Sequence, residues 1–280
     1  MSIENEYADK KFIDIDKIFL EKNARLHKMI PGFILRYLKK ITRQEQVNYF
    51  ISKYGHLRGL AFVDAIITEF KFKYRVIGEE NILEHGSVMF VANHPLGGLD
   101  GISLLQVLGR HRPEVKFIVN DILTKLKNLE DLFVGVNKHG NTTREMLQEL
   151  DQVFASDGAL LIFPAGLVSR RTDGVICDLE WKKAFIAKAR KYKKTVVPIH
   201  ISGHLTNYFY GLSNFRKKIG IKANIEMLYL PDEMYKQEHL NVTITIGKAI
   251  DPAIFDKTKT DEQWAQWMKD KVYELAPKEN

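Results

Sequence analysis

The chain has 280 residues, with 42 Lys plus Arg against 35 Asp plus Glu, a formal net charge of +7 and a single cysteine, Cys177. A chain of this length can bury a full core as one α/β domain, and one cysteine excludes an internal disulfide. Moderate basicity suits an anionic membrane surface or an acidic carrier protein; nucleic acid is disfavoured, because there is no zinc-ligand spacing, RNP-type aromatic block or lysine-rich tail.

The first seventy residues predict a helical region. Residues 1–10 are polar and predict no signal peptide, and no window reaches the ~18 apolar residues of a spanning helix. Residues 23–54 alternate apolar and basic side chains, with a break at Pro31-Gly32. Such a segment either lies at a membrane surface or packs on a core with a solvated basic face. We predict an amphipathic, membrane-facing extension over residues 1–70 and a catalytic domain over residues 71–280.

Strand-like and helical segments alternate through the rest of the chain. The strand-like runs are 72–77, 88–92, 115–119, 132–136, 160–163, 195–201, 225–230 and 241–246. Helical patterns cover 142–155 and 179–192, and Thr260 with Gln263 forms a capping box that opens a last helix. The alternation predicts an α/β fold with a mixed, largely parallel central sheet of about seven strands covered by helices.

The segment after the second strand-like run carries the clearest chemical signal. His94 ends an apolar run, two glycines follow, and Asp100 opens a helical pattern, so the segment reads strand, turn, helix. Open α/β sheets place their chemistry at this end of a strand. Histidine takes a proton near neutral pH, and a carboxylate can fix its tautomer. An N-cap role for Asp100 beside a loop histidine is the alternative.

Four short motifs in order resemble those of the glycerolipid (lysophospholipid) acyltransferase family. They are Asn93-His94 with Asp100, Phe133 to Lys138, Ile162-Phe163-Pro164-Ala165-Gly166, and Val196-Val197-Pro198-Ile199. The resemblance covers about residues 75–250. It implies direct acyl transfer from acyl carrier protein or coenzyme A to a lysolipid, with no cofactor. The chain also lacks the G-x-S-x-G elbow of serine hydrolases.

Three departures from the family pattern concern the site. Five residues separate His94 from Asp100 where the family has four, so Gly97 and Gly98 must absorb one residue. Lys138 replaces an arginine and Ala165 replaces a glutamate in motifs that bind the acceptor head group in the family. These variants resemble a bacterial subgroup near the enzymes that acylate ornithine or glycine lipids.

The resemblance implies a set of site residues. His94 is the expected base and Asp100 its partner. The expected substrate-binding residues are Asn93, Gly97, Gly98, Lys138, Gly166, Arg170 and Arg171. The three cations suit an anionic head group, and backbone N–H groups of the glycines suit the oxyanion. We expect no metal, since His139, His200 and His204 match no common zinc spacing.

The function predicted from sequence is acyl transfer to a lysolipid hydroxyl, with lysophosphatidic acid or a related lysophospholipid as acceptor. We expect a cytoplasmic, peripheral protein on the inner face of the membrane. Acylation of an amino-acid lipid, hydrolysis of a thioester or lipid ester, and non-catalytic lipid binding remain alternatives.

Overall fold

The computed structural model describes residues 11–120, 123–136, 144–238 and 240–277. The helices are α1 (Ile15–Lys22), α2 (Ala24–Met29), α3 (Gly32–Ile41), α4 (Gln44–Tyr54), α5 (Gly59–Glu69), α6 (Gly98–His111), α7 (Arg144–Ala155), α8 (Ala184–Tyr192), α9 (Asn207–Lys218), α10 (Leu230–Tyr235) and α11 (Asp261–Glu274). The strands are β1 (Lys73–Ile77), β2 (Val88–Ala92), β3 (Lys116–Asn120), β4 (Phe133–Val136), β5 (Ala159–Ile162), β6 (Arg170–Thr172), β7 (Val175–Cys177), β8 (Thr195–Ile201) and β9 (Asn241–Ile246).

The central sheet has seven strands in the order β1-β9-β8-β2-β5-β3-β4. The strands from β8 to β4 are mutually parallel, whereas β9 is antiparallel to β8 and pairs in parallel with β1. The predicted mixed, largely parallel sheet is confirmed. The chain leaves β2 toward β3 on one side and returns from β5 to β8 on the other, so the carboxyl end of β2 lies at a topological switch point.

Alternate residues of β2 enter two different cores. Val88, Phe90 and Ala92 join the core that α5 and α6 cover, while Met89 and Val91 join the core under α8 and α11. All five are buried, which explains why this strand reads as a continuous apolar run. A strand buried on both faces holds the residue that follows it in a fixed place.

The N-terminal helices differ in how much they pack. Phe50 of α4 and both Phe62 and Val63 of α5 pack into the core that also contains the buried residues Val88, Phe90 and Ala92. Helix α3, by contrast, leaves Phe33 64%, Tyr37 47% and Ile34 38% exposed. Within the described residues, no helix combines the length and the apolarity needed to cross a bilayer.

One sequence prediction of a strand is wrong, and one short hairpin is not predicted. Residues 225–230 form a 3-10 helix over Ile225–Tyr229 and the start of α10, because Glu226 is needed in a buried ion pair and Pro231 favours a helix start. A short apolar run does not by itself distinguish strand from helix. The hairpin of β6 and β7 was not predicted, since its strands have three residues each.

Candidate active site

The candidate site forms where β2 ends and α6 begins. His94 Nδ1 lies 2.8 Å from Asp100 Oδ2, so the predicted contact between the two side chains is present. The backbone N–H groups of Leu96 and Gly97 donate to the same oxygen at 2.8 and 3.0 Å. Asp100 thus holds the turn and the imidazole together.

Gly97 makes this turn possible. It is the N-cap of α6 and has φ +83°, a backbone conformation that favours glycine. The extra residue between His94 and Asp100 is accommodated before the helix begins, and Asp100 occupies the third helical position. The carboxylate therefore returns to His94 despite the longer loop.

Electrostatics of the pair follow from its burial. Asp100 is 0% exposed, and burial raises the pKa of its carboxyl, while the hydrogen bonds from His94, Leu96 and Gly97 oppose this shift. An ionised carboxylate only accepts hydrogen bonds, so it selects the tautomer with the proton on Nδ1. Nε2 is then the ring nitrogen left to accept a substrate proton.

Phe163 fixes the plane of the imidazole. Its ring stacks on His94 with centroids 4.3 Å apart and an interplanar angle of 9°. Phe163 in turn meets Phe117 edge to face. The motif that contains Phe163 therefore contacts the motif that contains His94 through ring packing. Asp100 and Phe163 together restrict the rotation of the His94 ring.

Asp178 is a central residue that the sequence analysis missed. Its carboxylate, 3% exposed, accepts from the His94 backbone N–H at 3.1 Å, from Ser169 Oγ at 2.6 Å and from Trp181 Nε1 at 2.9 Å. Ser169 N–H donates to the His94 carbonyl at 2.8 Å. A lone aspartate after a three-residue strand has no spacing signal, so only the fold reveals it.

Arg170 does not act as predicted. Its side chain is 2% exposed, and its guanidinium donates to Glu226 Oε1 at 3.0 Å and to the Val168 carbonyl at 2.7 Å. Glu226 is also paired with Arg216. Arg170 belongs to a buried ion network that already compensates its charge, so this position does not fit the predicted head-group contact.

Asn93 has a structural role beside His94, and its substrate contact stays a prediction. Its amide donates to the Ile201 carbonyl at 2.9 Å and accepts from the Ile201 N–H at 2.7 Å. Since Asn93 follows β2 and Ile201 ends β8, these two bonds join the strand ends next to His94. The side chain is 2% exposed.

The predicted glycines differ in their surroundings. The Gly97 N–H is used by Asp100, which removes it as an oxyanion donor, and a side chain at Gly98 would meet Met234 Sδ at 2.9 Å. Gly166 has φ +64°, and a Cβ there would lie 3.5 Å from Lys182 Nζ.

Arg171, unlike Arg170 before it, is not buried. It is partly exposed, donates to Asn207 Oδ1 at 2.6 Å and lies over the Tyr210 ring at 5.0 Å. Lys138, the remaining predicted cation, lies outside the described residues.

A cavity of about 200 Å³ adjoins the turn after β2. Its lining includes Asn93, Pro95, Ser169, His200, Ser202 and Tyr273. His200 Nδ1 is buried and has no hydrogen-bond partner among the described residues, and burial lowers the pKa of this histidine to about 4. A larger cavity of about 910 Å³ is lined by residues such as Leu83, Thr195 and Phe255 at the opposite end of β8.

Several known proteins are similar to this chain. A family model described as Acyltransferase matches residues 17–278. A lyso-glycine lipid O-acyltransferase of Bacteroides thetaiotaomicron is 46% identical over 264 residues, which covers 94% of this chain and 97% of that protein. One of Phocaeicola vulgatus is 45% identical, covering 94% and 95%. The crystal structure of the 1-acyl-sn-glycerophosphate (LPA) acyltransferase PlsC of Thermotoga maritima gives a TM-score of 0.48 at 17% identity, covering 95% and 97%.

We expect Asp178→Ala to destabilise the fold by about 3 kcal/mol or more, because three donors lose their buried acceptor. Urea unfolding followed by circular dichroism measures this difference. Asp131→Ala, at an exposed aspartate, is the matched control and should change the free energy of unfolding by less than about 0.5 kcal/mol. Equal stability of the two variants would contradict the assigned role.

Stability should also fall in acid because of His200. Its folded pKa of about 4 lies below the ordinary value of 6.5, so between these pH values the unfolded chain binds more protons. We expect a loss of about 3 kcal/mol as pH falls through this window, with the full stability present above it. His200→Gln should lack this part of the pH dependence in parallel urea titrations. An unchanged slope in the variant would refute the assignment.

Proposed function

This chain belongs to the acyltransferase family, and on that premise we propose that it transfers a fatty acyl group from a thioester to the hydroxyl of a lyso-glycine lipid or a closely related lyso-amino-acid lipid. The observation that carries the chemistry is the contact of His94 with buried Asp100 at the end of β2. The acceptor is supported by two relatives near 46% identity, both lyso-glycine lipid O-acyltransferases.

This acceptor replaces the lysophospholipid that the sequence favoured. The two departures in the head-group blocks, Lys138 and Ala165, are consistent with a head group other than glycerol phosphate. Ala165 is buried, and its methyl group provides no carboxylate where the family has a glutamate. A glycine head group ends in a carboxylate, which one guanidinium can bind through two parallel hydrogen bonds.

The proposed reaction uses His94 as general base. The acceptor hydroxyl donates its hydrogen bond to Nε2, and as its oxygen attacks the thioester carbonyl the proton passes to the ring. The C–O bond forms, the C–S bond breaks, and the departing thiolate takes the proton back from the imidazolium. Asp100 stabilises the imidazolium while it exists. No residue is acylated on this route.

We also propose donors for the oxyanion and for the head group. With the Gly97 N–H occupied, the Gly98 N–H at the first turn of α6 is the remaining donor of the glycine pair, and a helix start does not bond its first N–H groups internally. We propose Arg171 for the acceptor carboxylate, with Lys182 beside Gly166 and Lys138 as further cations.

We propose that the enzyme works as a peripheral protein at the inner surface of a membrane, with acyl carrier protein or coenzyme A as donor carrier. Both acceptor and product are lipids, so the site must reach a bilayer. The exposed apolar side chains of α3, Phe33, Ile34 and Tyr37, stand beside the basic residues Arg36 and Lys40. This combination suits an interfacial helix.

The acceptor proposal is tested with purified protein, a radiolabelled acyl thioester and a panel of acceptors. We expect label in the O-acylated glycine lipid and at least about tenfold lower kcat/KM with lysophosphatidic acid, the discrimination of one lost charged contact. Preference for lysophosphatidic acid would overturn the acceptor. Release of free fatty acid without any acceptor would support hydrolysis instead.

The proposed base is tested separately with the best acceptor. His94→Ala should lower kcat by about 10³-fold, since a positioned base contributes 10²- to 10⁴-fold. Asp100→Asn should lower it by about 10²-fold or more through the wrong tautomer. His85→Ala, at an exposed histidine, is the control and should retain full activity. Activity of His94→Ala within a few fold of the unmodified enzyme would exclude this mechanism.

A further inference from the structure

The end of α9 and the segment that follows it expose an unusual set of side chains. We call residues 217–224 the basic loop; its sequence contains Lys217, Lys218 and Lys222 and no acidic residue. Ile219 is 53% exposed and Ile221 38% exposed, and Phe215, just before the loop, is 59% exposed. The three lysines are exposed too. Aliphatic and basic side chains therefore share one surface.

Buried ionic groups hold this loop in place. Arg216 is 5% exposed; it donates to the Ile221 carbonyl at 3.1 Å and to the side chain of Asn224. The Ile221 N–H donates to the Arg216 carbonyl at 2.9 Å. Burying an ion is costly unless it is fully paired, and here Glu226 supplies the pairing. The apolar side chains are held outward by an ordered backbone.

The same ionic groups reach the catalytic strand ends. Glu226 pairs with Arg170 as well as with Arg216, and Arg170 follows Ser169, whose N–H donates to the His94 carbonyl. The position of the basic loop is thereby set relative to His94 through a chain of buried contacts. A surface connected in this way keeps the catalytic residue at a constant distance from whatever the loop binds.

Helix α3 is connected to the first turn of α9 through Tyr229. The hydroxyl groups of Tyr37 on α3, Tyr229 before α10 and Tyr208 on α9 are hydrogen-bonded to one another. Arg43 after α3 also pairs with Asp232 of α10. Exposed Leu228, at 47%, lies next to this tyrosine cluster in sequence. The exposed side chains of α3 and those around α9 thus belong to neighbouring elements.

We propose that the basic loop is a membrane-insertion element that binds an anionic bilayer, with Ile219 and Ile221 in the headgroup boundary and the three lysines on lipid phosphates. The composition favours a bilayer over a protein, because lysine is depleted at protein interfaces whereas lysine with aliphatic side chains suits an anionic lipid surface. This inference adds a second contact to the α3 surface and does not depend on which lipid is acylated.

The test is co-sedimentation of the full chain with vesicles of phosphatidylcholine alone and of phosphatidylcholine with a minor fraction of phosphatidylglycerol. We expect Ile219→Ser/Ile221→Ser to weaken binding on the order of 100-fold, about tenfold for each isoleucine. Ile77→Ser, at an isoleucine with 45% exposure on β1, is the matched control and should bind as the unmodified chain does.

A second set of variants tests the charge. Lys217→Ala/Lys218→Ala/Lys222→Ala should lose about fivefold per lysine on phosphatidylglycerol vesicles and little on phosphatidylcholine alone. Lys73→Ala/Lys248→Ala/Lys257→Ala removes three other exposed lysines and should change binding far less. Melting curves by circular dichroism should be the same for all variants, because every substituted residue is at the surface.

Two results would overturn the proposal. One is vesicle binding by the loop variants equal to that of their controls. The other is an unmodified chain that dimerises in sedimentation velocity, loop variants that do not, and equal vesicle binding by both, which would assign the surface to a second copy. Acyl transfer to detergent-dispersed acceptor should persist in the loop variants, so failure of the proposed function is seen separately.

Discussion

The site depends on a single oxygen atom. Asp100 Oδ2 accepts from the His94 ring and from two backbone N–H groups of the turn, so the side chain that orients the imidazole also shapes the loop that carries it. Because this carboxylate is fully buried, its desolvation is offset only while all these donors are in place. The conformation of the turn and the orientation of the His94 ring therefore depend on each other.

Around this atom the fold arranges two further buried acids. Asp178 holds the backbone of His94 and the segment that contains Ser169, and Glu226 pairs the arginine that follows Ser169. All three acids are buried and hydrogen-bonded. Polar contacts thus hold the region beside His94, and burial on both faces holds the strand β2.

An acyltransferase acting on lipids must meet two conditions that such a framework serves. In the proposed mechanism the base must keep its geometry without a covalent intermediate that anchors the substrate, and the site must stay at a constant distance from the lipid surface. The first condition is met by Asp100 and Phe163 against the imidazole. The second would be met by the exposed faces of α3 and the basic loop, joined to the catalytic segment through Arg170 and Glu226.

Seven strands, the last helix with its capping box and the contact of His94 with Asp100 could be predicted from local patterns. Periodicity, short-range spacing and turn residues indicate these features, and all three act within a few residues along the chain. The segment at residues 225–230 shows the limit, since its apolar run fits a strand or a helix equally well. Only the pairing of Glu226 with two distant arginines decides the outcome.

The sequence by itself determined the strands of the central sheet, the turn after β2 and the contact of His94 with Asp100, because each depends on neighbours in the chain. It could not determine that Arg170 and Asn93 are structural or that Asp178 supports His94. Those roles are set by which side chains become buried together, and burial depends on contacts between residues far apart in sequence. Tertiary structure alone decides whether a charged group faces a substrate or is neutralised by a partner within the protein.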